Sequence, residues 1–274
     1  MNEINRNSPI GVFDSGVGGL TVAREIMRNL PNERIVYFGD TARVPYGNKS
    51  RETVIRYSRQ ITRFLKTKKV KAIVIACNTA SALALDTLEQ EVDIPIIGVV
   101  KPGAQTALSV TKNHRIGVIA TESTINSQLY PSLIREQEPQ SIVLGKACPL
   151  FVPLVEEGWT KDDITEQVAR KYLAELLEQD IDTLIMGCTH YPLLRTLLKK
   201  VVGEKVELVN PAYETAISLG RLLQEKELNC LEESPDAGKH QFYSSDAPDR
   251  FCTFADTILP YHVTEAKQIA IEQF

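Results

Sequence analysis

Ala72-Ile73-Val74-Ile75-Ala76-Cys77-Asn78-Thr79 reads as a buried strand that ends on a small residue, a cysteine and two polar side chains. Thr183-Leu184-Ile185-Met186-Gly187-Cys188-Thr189-His190 repeats that pattern 111 positions later. Other fragments recur in the same order. Ile10-Gly11-Val12 returns as Ile116-Gly117-Val118, Ile35-Val36 as Ile142-Val143, and Val100-Lys101-Pro102 as Val209-Asn210-Pro211. A repeat this long implies that one structural unit occurs twice.

The rest of the chain fits that unit. Ile10–Phe13, Ile35–Phe38, Ala72–Ala76, Ile96–Val100, Ile116–Ala120, Ile142–Leu144, Thr183–Met186 and Val206–Val209 read as buried strands. Amphipathic stretches such as Leu20–Asn29, Arg51–Thr67, Ser81–Glu91 and Lys161–Glu178 lie between them. Strands that alternate with helices make parallel sheets covered on both faces. The expected fold is therefore α/β: two pseudo-symmetric domains, each a mostly parallel sheet flanked by helices, with the active site in the interdomain cleft. The boundaries fall near 97–101 and 209–212. The segment after Ala212 is too short and too helical to stand alone, so it is expected to pack back on the first domain. That gives a discontinuous first domain, 1–97 plus 212–274, and a second, 98–211. The polar stretch from about Glu225 to Lys239 is expected to be a surface connection.

Composition narrows the functional classes. The chain has 274 residues, 43% of them hydrophobic, enough for a sizeable core. The net charge of −4, from 31 basic and 35 acidic side chains, lacks the basic footprint of a nucleic-acid binder. No apolar run approaches the roughly 20 residues of a membrane span, and the start lacks an apolar signal region. A cytoplasmic protein with no membrane or nucleic-acid partner is expected. The five cysteines show no C-x-x-C pair and are expected to be free thiols.

Cys77 and Cys188 stand apart from Cys148, Cys230 and Cys252. Both follow a strand and precede a helix, where ligands bind in open α/β sheets and where backbone N–H groups and the helix dipole favour a thiolate. If the two units face each other about a pseudo-twofold axis, the two sulfurs approach one ligand from opposite sides. One thiolate can then remove a proton from carbon while the other thiol returns one, which inverts a stereocentre without a cofactor. Closure of the cleft would exclude water from the carbanion.

Several motifs resemble those of bacterial glutamate racemases. They are Gly11-Val12-Phe13-Asp14-Ser15-Gly16-Val17-Gly18-Gly19-Leu20, Tyr37-Phe38-Gly39-Asp40-Thr41, Val44-Pro45-Tyr46-Gly47, Ala76-Cys77-Asn78-Thr79-Ala80-Ser81 and Gly187-Cys188-Thr189-His190-Tyr191-Pro192. The resemblance runs from residue 10 to about 215. It implies interconversion of L-glutamate and D-glutamate, with D-glutamate supplied for peptidoglycan, no pyridoxal phosphate or other cofactor, no metal, and a homodimer. It makes Cys77 the base for D-glutamate and Cys188 the base for L-glutamate.

By matched position, Asp14 and Ser15 are expected to contact substrate, with Asp14 near Cys77; a plain helix cap is the alternative for Asp14. Glycines 16, 18 and 19 could form a backbone nest for a carboxylate. Tyr46 and Gly47 match substrate contacts. Asn78, Thr79 and Thr189 match positions that hold the α-amino and carboxylate groups, or cap the helices that follow. His190 could stabilise a thiolate or shuttle a proton. Glu156 and Asp40 match acidic positions near the second and first cysteines. Thr121 and Thr124, just after the strand equivalent to the first, are expected to contact a carboxylate by pseudo-symmetry. Two rivals stay open on the residues alone: an aspartate racemase, and a regulator that binds an acidic amino acid without turning it over.

Overall fold

The computed structural model describes residues 4–230 and 239–274; part of the polar stretch 225–239 thus lies outside the described residues. Two parallel sheets organise it. The first contains β1 (Ile10–Asp14), β2 (Ile35–Gly39), β3 (Ala72–Ile75), β4 (Ile96–Gly98), β9 (Gln241–Ser244) and β10 (Lys267–Gln268), in the order β10-β9-β2-β1-β3-β4. The second contains β5 (Arg115–Ala120), β6 (Ile142–Ala147), β7 (Thr183–Gly187) and β8 (Glu207–Val209), in the order β6-β5-β7-β8.

The repeat in the sequence is a repeat in topology. β2-β1-β3-β4 and β6-β5-β7-β8 are the same arrangement. Ile10 sits opposite Ile35 and Ala72, and Ile116 sits opposite Val143 and Thr183. In each sheet the order turns back on itself between the first and third strands of the repeat. Crevices for ligands open at such points, beyond the carboxyl ends of the strands. Cys77 follows β3 and Cys188 follows β7, so both sulfurs lie at these crevices.

Helices cover both faces. α1 (Leu20–Asn29) and α2 (Arg51–Thr67) start and stop where the apolar periodicity does. α3 (Asn78–Glu91) begins three residues before the expected Ser81, because the Cys77 sulfur accepts the Ala80 N–H and caps the helix. β4 stops at Gly98, short of the expected Val100. Ser81 ends it: its hydroxyl donates to the Ile75 carbonyl and accepts the Val99 N–H, which turns the chain into α4 (Val100–Val110). The second unit adds α5 (Glu122–Asn126), α6 (Leu129–Gln137), α7 (Phe151–Glu156), α8 (Asp163–Leu177) and α9 (Arg195–Val202). Pro153 inside the short α7 masks it in the sequence.

α10 (Pro211–Glu225) packs between α1 and α4, and α11 (Pro248–Ile258) packs on α1 and β9. The last stretch was expected to be helical. It also carries β9 and β10, which extend the first sheet beyond β2. β10 is two exposed polar residues, so no apolar run betrays it.

A buried ion pair ties this closing stretch to the start. Lys71 is fully buried, its Nζ 2.5 Å from Glu33 Oε2, and Glu33 Oε1 accepts the Cys230 N–H at 2.9 Å. Removing one partner leaves a buried charge unpaired. Lys71→Ala should therefore cost about 3 kcal/mol of stability in urea unfolding, with activity of the folded protein retained. A loss near zero would show that water reaches the pair.

Candidate active site

A cavity of about 350 Å³ lies where the carboxyl ends of the two sheets meet. Ser15, Tyr46, Gly47, Cys77, Asn78 and Thr79 line it from the first unit. Thr121, Glu156, Cys188, Thr189 and His190 line it from the second. Two sulfurs from equivalent strand ends thus share one chamber. Among the expected residues, Asp14, Asp40 and Thr124 stand behind its wall.

The two sulfurs have different surroundings. The Cys77 thiol lies 3.6 Å from the Ser15 hydroxyl and 3.5 Å from the Ala80 N–H. Burial pushes its pKa up to about 12, and the nearby Asp14 charge adds to that. The helix N-terminus was expected to favour a thiolate here. It does not prevail, because loss of solvent and a neighbouring carboxylate outweigh one long N–H contact. Cys77 is a protonated thiol at neutral pH.

Asp14 is fully buried at the end of β1. Its Oδ2 accepts the Gly16 N–H at 3.0 Å, and backbone N–H groups of Ser15 and Gly19 also favour the ionised form. The glycine turn does form a nest, and the carboxylate it wraps is Asp14's own. Burial still raises the Asp14 pKa, opposed chiefly by the charge of His190. Asp14 does not cap α1, whose N-cap is Gly19 without a side-chain bond. The Thr189 hydroxyl, 3.5 Å from Oδ1, links Asp14 to the second cysteine motif.

Cys188 has an imidazole beside it. Its sulfur lies 3.9 Å from His190 Nδ1, and His190 Nε2 lies 3.1 Å from Glu156 Oε1. Burial disfavours a charged ring, but Cys188, Glu156 and Asp14 together reverse that and raise the His190 pKa to about 10. Bonding to His190 holds the Glu156 carboxyl below its usual range, against its burial and with help from Arg250. A sulfur, an imidazolium and a carboxylate therefore stand in a row. Gly18 makes this possible. A Cβ there would overlap the His190 ring and the Thr189 hydroxyl, so only glycine lets the two units approach so closely.

The remaining residues build the walls. Asp40 does not face the cavity. Its carboxylate is occupied by the Tyr46 hydroxyl, by Arg43 Nε at 2.7 Å and by the Ser245 hydroxyl at 2.8 Å, so it holds the Tyr46–Gly47 turn in place. Thr124 lies behind Thr79 and Thr121; the three hydroxyls form a cluster with oxygens 2.9–3.3 Å apart. Asn78 Oδ1 accepts from the Tyr130 hydroxyl at 2.8 Å. Asn78, Thr79 and Thr189 cap no helix with their side chains.

Sequence reading missed the apolar wall of Pro149, Val152 and Pro153, and the rim residues Val44, Asn48, Glu122 and Glu157. A signal was present, because the repeat placed the end of β6 at this crevice. The Pro-rich stretch after it masked its role.

Two thiols that line one cavity, one protonated and one beside an imidazolium, fit the class of isomerases that move protons at carbon. The sequence profile of the Asp/Glu/hydantoin racemase family matches residues 10–216. A glutamate racemase of Geobacter metallireducens is 48% identical over 263 residues, covering 96% of this chain and 97% of that one. The crystal structure of a glutamate racemase isoform from Bacillus anthracis superposes with a TM-score of 0.92 at 42% identity, over 96% of this chain and 98% of that one. The structure of the Francisella tularensis glutamate racemase in complex with D-glutamate gives 0.91 at 38% identity, over 98% and 100%. The chain belongs to the Asp/Glu/hydantoin racemase family and, within it, to the glutamate racemases.

The His190 environment makes a prediction. The folded-state pKa near 10 lies above the ordinary 6.5, so its stabilising contribution is complete below pH 6.5 and lost as pH rises through about 10. Glu156→Gln should lower the His190 pKa by a unit or more, measured by NMR titration of the ring. It should also remove part of the stability that wild type loses over that pH range. An unchanged titration would contradict the assignment of Glu156 as the ring's partner.

Proposed function

We propose that Cys77 and Cys188 are the two acid–base groups by which this enzyme interconverts L- and D-glutamate. The observation that carries this reading is one cavity lined by both thiols, each supplied by the equivalent strand end of a repeated unit. For L-glutamate, the Cys188 thiolate removes the α-proton, and the Cys77 thiol delivers its own proton to the opposite face of the planar carbanion. The enzyme is left with Cys77 as thiolate and Cys188 as thiol, the state that accepts D-glutamate. The unequal surroundings support this division: Cys77 holds its proton to about pH 12, and an imidazolium stands beside Cys188. No cofactor or metal has a part in the scheme.

His190, oriented by Glu156, offsets negative charge on Cys188. Asp14, from behind the wall, raises the basicity of Cys77, and its charge attracts an α-ammonium placed between the sulfurs. Ser15, Tyr46, Gly47, Asn78, Thr79, Thr121 and Thr189 hold the two carboxylates and the ammonium; Asp40 and Thr124 act from behind by fixing Tyr46 and the threonine cluster. The reading divides the chain into a discontinuous domain, 1–97 plus 212–274, and an inserted one, 98–211. It also makes the protein a cytoplasmic homodimer that supplies D-glutamate for peptidoglycan; among the described residues no helix is long and apolar enough to cross a membrane.

In deuterium oxide, Cys77→Ala should exchange the α-hydrogen of L-glutamate only, and Cys188→Ala that of D-glutamate only. Racemisation by either should fall by about a thousandfold or more, roughly 4 kcal/mol of lost barrier reduction. The double variant should exchange neither enantiomer. Exchange that persists in the double variant would sink the two-thiol scheme, and wild-type racemisation of aspartate in preference to glutamate would overturn the substrate.

A further inference from the structure

Thr21 lies in the first turn of α1 and is completely buried. It does not line the substrate cavity. Its hydroxyl lies 2.9 Å from the Gly18 carbonyl, within its own unit, and 3.0 Å from the Thr189 carbonyl, across the seam in the other. A hydroxyl carries one proton. The two carbonyls therefore compete for it. Alongside runs a crevice of only about 10 Å³, lined by Thr21, Asn78, Cys188, Thr189, Asn210 and Pro211, too small for an amino acid. Thr21 thus sits behind the Cys188 turn, on the side away from the substrate.

We propose that Thr21 is a positioning residue that latches the Cys188-Thr189-His190 turn to the first unit when the cleft is closed. With the units together, its proton bonds the Thr189 carbonyl and fixes the Thr189–His190 peptide. With the units apart, the proton falls back on Gly18. Opening then leaves no buried donor without a partner, which keeps the closed and open forms close in free energy. Gly18 supplies both the alternative acceptor and the surface against which His190 packs, so the latch and the ring are set by one turn.

The proposal rests on Cys188 being one of the two acid–base thiols, and its test reads that side of the reaction separately. Thr21→Val keeps the shape and removes the proton; Thr21→Ser keeps the proton. The valine variant should lose roughly tenfold in kcat/KM, while the serine variant stays within about twofold of wild type. Substrates deuterated at the α-carbon locate the defect. In Thr21→Val the isotope effect on kcat/KM should rise for L-glutamate, whose proton Cys188 removes. It should fall for D-glutamate, because return of the carbanion to Cys77 becomes faster than protonation by Cys188. The opposite asymmetry would support a one-sided role for Thr21 and exchange the faces assigned to the cysteines. Equal changes for both enantiomers, or a valine variant as active as the serine one, would overturn the proposal. If Thr21→Val does not fold, as judged by its melting transition, Thr21→Ala takes its place in the same measurements. Deuterium exchange in the double cysteine variant tests the underlying two-thiol scheme independently.

Discussion

Two geometrically equivalent sulfurs stand in unlike electrostatic surroundings, and the environment of this cavity is arranged around that asymmetry. Backbone topology makes Cys77 and Cys188 alike: each follows the third strand of a β2-β1-β3-β4 type sheet. Side chains make them unlike. Cys77 faces a buried carboxylate and keeps its proton to about pH 12, whereas Cys188 faces a ring that stays cationic to about pH 10. A symmetric pair would repel as two thiolates or stall as two thiols. The asymmetry lets the first unit contribute an acid and the second a base in the proposed reaction, and proton transfer through substrate reverses the roles.

Beside the cavity, polar contacts cross the seam between the units, next to the apolar packing of α10 on α4. Thr79 meets Thr121, Asn78 meets Tyr130, the Ser123 hydroxyl reaches the Gly47 carbonyl at 2.8 Å, and Thr189 reaches Asp14. Such bonds exchange readily with water, each worth about 1 kcal/mol net, so the cavity edge of the seam can part at modest cost while α10 stays packed on α4. Close approach depends on glycine. Gly18 against His190 and Gly47 against Thr121 leave no room for a side chain, which explains why the turns at this seam are glycine-rich.

Much of this was legible in the sequence because it rests on periodicity and repetition. Buried β-branched runs at matching offsets disclosed the strands, and the polar residues that follow Cys77 and Cys188 disclosed the crevice. What stayed hidden depends on three-dimensional detail. Burial decides that Cys77 is a thiol despite its place at a helix N-terminus, and no local pattern reports how far solvent is excluded. Asp40 looks like a second acid beside Cys77, but Arg43, Tyr46 and Ser245 consume its lone pairs, and Ser245 lies some two hundred residues away. β9 and β10 join the first sheet by pairing to β2 rather than by hydrophobic pattern, so short polar-edged strands at the far end of the chain escaped notice.

The central claim is that one substrate carbon lies between the two sulfurs. A crystal structure with bound glutamate measures it directly through the distances from each sulfur to the α-carbon. The account predicts that Cys77 and Cys188 lie on opposite faces of that carbon, both near enough for direct proton transfer, with a carboxylate against the Thr79–Thr121 hydroxyls. Sulfurs on the same face, or one of them beyond contact in the closed form, would contradict it.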